Sequence, residues 1–410
     1  MIPLTLEKRP TYQRSRSIFQ EILNQFNLQA KIYWHGAGKR QTAFCFLERE
    51  GKYLAKGAGK GFEKEQMELS ACYEALETYL SSYQLFKQKI ILASVKDIKK
   101  HYQPITFRFD DALLKNNNTS NEILPWVIVH QYDSKQPFVI PLATIDCQYI
   151  PLVEDTCNYY HYRCYASTNG LASAASYNEA LIHAILEIIE RDAISYFLLD
   201  TFLLKEPIKI IDPTTLPLYL QQLIQELEEQ HQEKLLLVHF PSHFNVPVYG
   251  AIFGKRSGII PRGFGASLNA NYAAERAILE VLQTLHVYEY MPQEQPDLTL
   301  TKIKNYPVLL DCLRFDLMEI VNNNHYQLLA FTETGDNKDI VPQDEYLSLL
   351  LERIYQQNMT LYVNNILVSE NGYACINAII PGIEEFFHIL NEQIILPQPR
   401  TKNYIQSKNK

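Results

Sequence analysis

What this chain of 410 residues lacks narrows its function first. No apolar run is long enough to span a bilayer, and the stretch Tyr196-Phe-Leu-Leu is cut short by Asp200. The start, Met1-Ile-Pro-Leu-Thr-Leu-Glu-Lys-Arg-Pro, has no basic stretch leading into an apolar one, so no signal peptide is read. Basic residues are not in excess. The net charge of −8 disfavours duplex nucleic acid, whose binders carry a basic face, and gives no attraction to anionic membrane. Together these absences point to a cytoplasmic protein whose partners are neither nucleic acid nor membrane. The 7 cysteines include no Cys-x-x-Cys pair. Cys157 and Cys164 flank His161, but the spacing matches no standard zinc pattern and no fourth ligand is evident, so reduced, mostly buried thiols are expected. A Walker A loop is missing too. Gly38-Lys39 and Gly59-Lys60 each lack the upstream glycine, and neither lysine is followed by Ser or Thr.

What is present is an ordinary globular composition with long helices and short strands mixed throughout. Periodicity predicts helices over 15–26, 65–83, 178–202 and 271–290, the third apolar on much of its circumference and hence buried. Strands are expected over 43–47, 126–130, 138–142, 235–240, 246–253, 361–363 and 374–380, with a further candidate at Phe331 and a polar loop over 116–121. This mixture gives an α/β or α+β fold in which mixed sheets are layered with long helices.

One pattern repeats. Ala71-Cys-Tyr-Glu-Ala-Leu-Glu77, Ala184-Ile-Leu-Glu-Ile-Ile-Glu190 and Ala277-Ile-Leu-Glu-Val-Leu-Gln283 share a layout, and each follows glycines read as a turn: Gly59-Lys-Gly61, Asn169-Gly170 and Gly263-Phe-Gly265. Three-residue spacing puts Glu74 with Glu77, Glu187 with Glu190, and Glu280 with Gln283 on one helix face each. Glu179, His183, Glu187 and Arg191 form a stripe of i, i+4 steps, and Arg276 stands four before Glu280. Carboxylates that interrupt an apolar helix need a partner, either an arginine or a cation. Several of them converging as hard oxygen ligands suit Mg²⁺, and Mg²⁺ suggests a triphosphate. A di-iron centre would want Glu-x-x-His pairs, which these three helices do not have.

These stretches resemble the YcaO family. Gly59 to Glu77 is similar to its first signature. Thr168-Asn-Gly-Leu-Ala, Glu179-Ala and Glu187-Ile-Ile-Glu-Arg191 resemble the second, and Gly263-Phe-Gly-Ala-Ser-Leu-Asn with Arg276 to Gln283 resembles the third. Ile380-Pro-Gly-Ile-Glu384 is similar to a late element, and the match runs from about Lys56 to Pro399. The resemblance implies an ATP cleft lined by the three glutamate-bearing helices, with ATP and Mg²⁺ as cofactors. Carried over by motif, Glu74, Glu77, Glu187 and Glu190 become Mg²⁺ ligands. Lys60, Ser70, Glu179, Arg191 and Arg276 become nucleotide contacts, and Arg191, Glu280 and Gln283 are placed with the catalytic machinery. Where the family often has Gly-Asn before the second helix, this chain has Ala174-Ala175 between Ser173 and Ser176, so one side chain assigned to ATP contact is missing.

The implied activity is ATP-dependent activation of a peptide amide. Attack by Cys, Ser or Thr gives an azoline, whereas an external sulfur donor gives a thioamide. Azoline-forming relatives end in a proline-rich tail, of which Leu396-Pro-Gln-Pro399 is a partial version, and that favours cyclodehydration. A non-catalytic ATP-binding relative is the rival reading. The expected partners are a precursor peptide and a leader-binding protein, and a homodimer is admitted. The expected organisation is an N-terminal helix and strands over 1–55, a catalytic domain over 56–399 and a disordered tail over 400–410.

Overall fold

The computed structural model describes residues 9–37, 40–81, 90–105, 121–159, 165–254, 260–290, 303–331, 341–395 and 397–408. The polar loop at 116–120, His161, Cys164, Gly38-Lys39 and Tyr83 lie outside them.

The chain opens with α1 (Tyr12–Gln25), whose N-cap Thr11 accepts from the Arg14 N–H. An antiparallel meander follows, β1 (Gln29–Ala37), β2 (Arg40–Arg49) and β3 (Lys52–Gly59), which leads into α2 (Lys64–Leu80). Next come β4 (Ile90–Ser94), α3 (Val95–His101), β5 (Ile123–Gln131), β6 (Pro137–Pro141) and β7 (Leu171–Ala174). Then α4 (Tyr177–Leu198) begins on a capping pattern: Ser176 accepts from the Glu179 N–H, and Glu179 stands in the first turn. The second half contains β8 (Ile208–Ile211), α5 (Leu218–His231), β9 (Leu236–Phe240), β10 (Val248–Ile252), β11 (Arg262–Ala266) and α6 (Ala270–Tyr290). It closes with α7 (Pro307–Arg314), α8 (Leu317–Asn322), β12 (Tyr326–Leu329), α9 (Gln343–Gln356), β13 (Tyr362–Val368), β14 (Ala374–Ile379) and α10 (Pro399–Lys408).

Among the described residues the strands form three sheets: β1-β2-β3, β11-β10-β9-β8-β12 and β4-β5-β13-β14-β7, with β6 also paired to β5. Helix α4 is buried on most sides, as its composition predicts, and runs through the largest core. Helix α2 shares a second core with α1 and the meander, and α6 shares another with α5. Among the described residues no helix is long and apolar enough to cross a membrane.

Two strand–helix units are built alike. A Cβ on Gly59 would stand 1.8 Å from the Met67 carbonyl oxygen, and one on Gly57 2.3 Å from that of Ala71. A Cβ on Gly263 would stand 2.1 Å from the Val281 nitrogen, and one on Gly265 2.2 Å from the Ala273 oxygen. The glycines let α2 lie directly on β3 and α6 directly on β11, while Ala71, Ala75, Ala273 and Ala277 supply a helix face without bulk. Gly59, Gly263 and Gly265 therefore belong to strands rather than to the turns expected of them.

Two further expectations are corrected. Phe331 lies beyond β12, its N–H donating to Thr215 Oγ1 at 2.7 Å, because the strand ends at Leu329. The segment from 400 to 408 is not disordered: it lies in α10 and is docked on α4. Arg400 pairs with the fully buried Asp192, Thr401 donates to the Tyr196 hydroxyl at 3.1 Å, and Tyr404 donates to Asp200 at 2.8 Å.

Candidate active site

The sequence candidates come from four elements. Helix α2 presents Glu74 and Glu77, and α4 presents Glu179, Glu187, Glu190 and Arg191. Helix α6 presents Arg276, Glu280 and Gln283. Lys60 projects from the β3–α2 connection between two glycines, each of which is pressed against α2. Its ammonium pairs with the Glu280 carboxylate, tying that connection to α6. Gln283 donates to the Ala58 carbonyl, and the Ala58 N–H donates to Glu74. The Ser173 N–H donates to Glu77 Oε2 at 3.0 Å. Arg191 reaches Glu187 at 4.0 Å and Glu190 at 3.9 Å, and its guanidinium lies over the Phe387 ring, 5.5 Å from the centroid. Ser70 is half-buried one turn before Glu74, and no hydrogen bond or ion pair joins it to the other candidates among the described residues.

These side chains share one electrostatic field. Burial pushes Glu74 up to about 7, with Lys60 and the Ala58 N–H opposing and Glu280 adding to the rise. Burial, then the charges of Glu187 and Glu74, hold Glu77 well above the usual carboxylate range. Glu187 is pushed up to about 7 by burial, against Arg191 and with Glu190 and Glu280. Glu190 is raised by burial as well. Glu280 is the exception. Burial works to raise it, but Lys60, Arg191 and Arg276 together overcome that, and it ends below its ordinary value. Glu74 is open to water and Glu187 has 23% of its side chain exposed, so these groups line a cleft whose walls crowd them without covering them.

A cluster of carboxylates held at raised proton affinity is one that wants cations. Among the described residues no group of three or more His, Cys, Asp or Glu is gathered closely enough to hold a metal ion by itself. That arrangement fits Mg²⁺ bound with nucleotide, since this ion takes one or two carboxylates, keeps several waters and fills its remaining positions with phosphate oxygens. The residues present therefore fit Mg-ATP: Glu74, Glu77, Glu187 and Glu190 supply carboxylates that could hold a cation, and Arg191 and Arg276 supply positive charge for phosphate.

Two residues extend the cleft beyond the motifs. Arg9, before α1, stands 3.9 Å from Glu179 and over the Tyr272 ring. The sequence carries no signal for it, because it lies far upstream of the repeat. His183, already visible in the α4 stripe, is held well below its ordinary pKa by burial, then by Arg276, Arg9 and Lys60. Three cationic side chains thus act on this one buried ring. At the N-terminus of α4, Arg9, Arg14, Ala175, Ser176 and Gln343 line a pocket of about 380 Å³. Neither serine beside Ala174-Ala175 stands idle. The Ser173 hydroxyl donates to the Tyr73 carbonyl at 2.9 Å, and that of Ser176 caps α4 and donates to Gln343 at 2.7 Å.

A family model described as YcaO cyclodehydratase, ATP- and Mg²⁺-binding, matches residues 58–384. Solved structures share the fold. YcaO from Methanopyrus kandleri bound with AMPPCP and Mg²⁺ aligns with a TM-score of 0.67 at 19% identity, over 96% of this chain and 97% of that one. A heterocyclase in complex with substrate and cofactor aligns at 0.63 and 15% identity, over 97% of this chain but only 59% of its own. The E. coli microcin synthetase McbBCD complex aligns at 0.58 and 13% identity, over 87% of this chain and 88% of that one. Among curated proteins no sequence matches.

Proposed function

Because the chain belongs to the YcaO family, described as ATP- and Mg²⁺-binding cyclodehydratases, we propose that it cyclises Cys, Ser or Thr residues of a ribosomally made peptide to azolines. The observation that carries this reading is the convergence of Glu74, Glu77, Glu187, Glu190 and Glu280 on one cleft, together with Lys60, Arg191 and Arg276. ATP with Mg²⁺ supplies the phosphoryl group that makes an amide oxygen a leaving group. The protein's part is electrostatic and positional. Glu74, Glu77, Glu187 and Glu190 hold the divalent cations. Arg191, stacked on Phe387, and Arg276 neutralise phosphate charge, while Lys60 and Ser70 border it. Glu179 and the pocket beside Ala175 take the nucleoside end. Glu280 and Gln283 set the α6 wall against Lys60 and the Ala58 strand.

Azoline formation is favoured over thioamidation by how the tail is held. Glu384 Oε2 accepts from the Gln398 N–H at 2.8 Å, and Arg400 grips Asp192, the neighbour of Arg191. A partner that delivers the peptide is part of the reading. The microcin synthetase with this fold is a complex, and the matched heterocyclase is longer than the part this chain covers.

The test combines the purified chain, Mg-ATP and precursor peptides rich in Cys, Ser and Thr, with and without candidate partners. Mass spectrometry should show loss of one water per ring, with ADP formed in step, and efficient conversion only when a partner is added. Exchange of oxygen for sulfur would replace cyclodehydration with thioamidation. A chain that binds no Mg-nucleotide would overturn the whole reading.

A further inference from the structure

The ion pair between Lys60 and Glu280 has a geometry that a nucleotide contact alone does not require. Gly59 and Gly61 press the connection against α2, and a Cβ on Gly61 would stand only 2.6 Å from the Gln66 side chain, so the backbone on both sides of Lys60 is fixed. From there Lys60 crosses to α6. The pair is mostly sheltered, with 18% of the lysine and 21% of the glutamate side chain exposed. Arg191 meets Glu187 and Glu190 only at 3.9 to 4.0 Å, so of these three carboxylates Glu280 has the closest cation. The same carboxylate stands in the field of Glu74, Glu187 and Glu190, which puts it at the centre of the acidic group.

We propose that Lys60 competes with bare divalent metal for Glu280, so that metal enters together with nucleotide and not ahead of it. This rests on the Mg-ATP reading of the cleft. An ammonium on Glu280 cancels the charge a lone cation would need, and among the described residues no group of three or more His, Cys, Asp or Glu stands ready to chelate that cation without phosphate. A triphosphate changes the competition. Its oxygens offer the ammonium another anionic partner and offer the metal further ligands, so Glu280 is released as the metal arrives. Lys60 is in this sense a positioning residue that keeps metal loading and nucleotide loading coupled.

The experiment uses Mn²⁺ as the probe and reads free Mn²⁺ by electron paramagnetic resonance, without any turnover. Wild type, Lys60→Met and Lys60→Arg are titrated with Mn²⁺ alone and with Mn²⁺ plus a non-hydrolysable ATP analogue. Lys60→Met should bind bare Mn²⁺ about tenfold more tightly than wild type, on the order expected for freeing one half-buried carboxylate from its cation. Lys60→Arg, which keeps the charge and controls for folding, should bind it as weakly as wild type. Adding Glu280→Gln to Lys60→Met should cancel the gain. Equal affinity of wild type and Lys60→Met for bare Mn²⁺, with both still binding the Mn²⁺–nucleotide pair, would overturn the competition and leave the functional reading standing. A wild type that binds no Mn²⁺–nucleotide pair would overturn both.

Discussion

At the scale of single residues, the cleft glutamates are held at a cost to the fold. Glu74 and Glu187, pushed up to about 7 mainly by burial, keep protons at pH values where the unfolded chain has released them. Each therefore contributes stability that is complete below its unfolded value near 4.5 and is lost as pH rises through about 7. In the absence of nucleotide, wild type should lose thermal stability as pH rises from about 4.5 to about 7, and Glu187→Gln should lose less. At pH 8 the same variant should unfold about 1–2 °C above wild type, because a neutral amide removes the repulsion from Glu190 and Glu280. Its ATP turnover, and that of Glu190→Gln, should fall by at least about 100-fold, since the amide keeps the shape and loses the charge proposed to hold the cation. Calorimetry and a phosphate-release assay read the two effects separately. Wild-type turnover in both variants would make these glutamates structural.

At the scale of elements, the glycine strands under α2 and α6 set where the charged groups stand. Gly265→Ala places a methyl 2.2 Å from a helix carbonyl, so α6 must move. Urea unfolding should show a loss of about 1–3 kcal/mol, and Mg-nucleotide affinity should fall although no polar group has changed. Gly51→Ala is the contrast. Its φ of +75° makes alanine unfavourable by about 1 kcal/mol, but nothing lies within 4 Å, so affinity should stay as it was. The tail gives the other test. Arg400→Met leaves Asp192, fully buried, with the Glu384 N–H but without its cation, and should cost about 2–3 kcal/mol. Adding Asp192→Asn should recover part of that loss. The glutamate helices were legible because each is a long run rich in apolar residues that carries the repeated polar pair. The role of the strand glycines was not, since a helix backbone lying on a strand leaves no mark in local sequence. Helix α10 was illegible for a related reason. It is polar, with Thr401 its single buried residue, and Arg400 meets Asp192 across 208 positions.

At the scale of the molecule, the cleft lies where separate cores meet. Helix α2 belongs to the core of the meander, α4 to the largest core and α6 to the core it shares with α5. Much of the candidate cluster was readable because the repeat marks all three helices. Arg9 was not, for it joins Glu179 from 170 positions away with no motif around it. Each helix is anchored in its own core, yet their carboxylates repel across the junction: Glu77 from Glu187, Glu74 from Glu280, and Glu190 from Glu280. Mg-nucleotide bound as proposed would replace that repulsion with attraction shared by the three helices, and a ligand bound only by the folded chain stabilises it with the logarithm of its free concentration over Kd. At a hundredfold excess over Kd the gain is about 2.7 kcal/mol, which in a chain of this length raises the unfolding midpoint by about 3 °C. Mg²⁺ with a non-hydrolysable ATP analogue should produce that shift, and hydrogen exchange should slow in α2, α4 and α6 together. The analogue with EDTA, or Mg²⁺ alone, should leave the midpoint in place. An equal shift in EDTA would mean that the nucleotide binds without the carboxylates, and the three helices would then lose their common purpose.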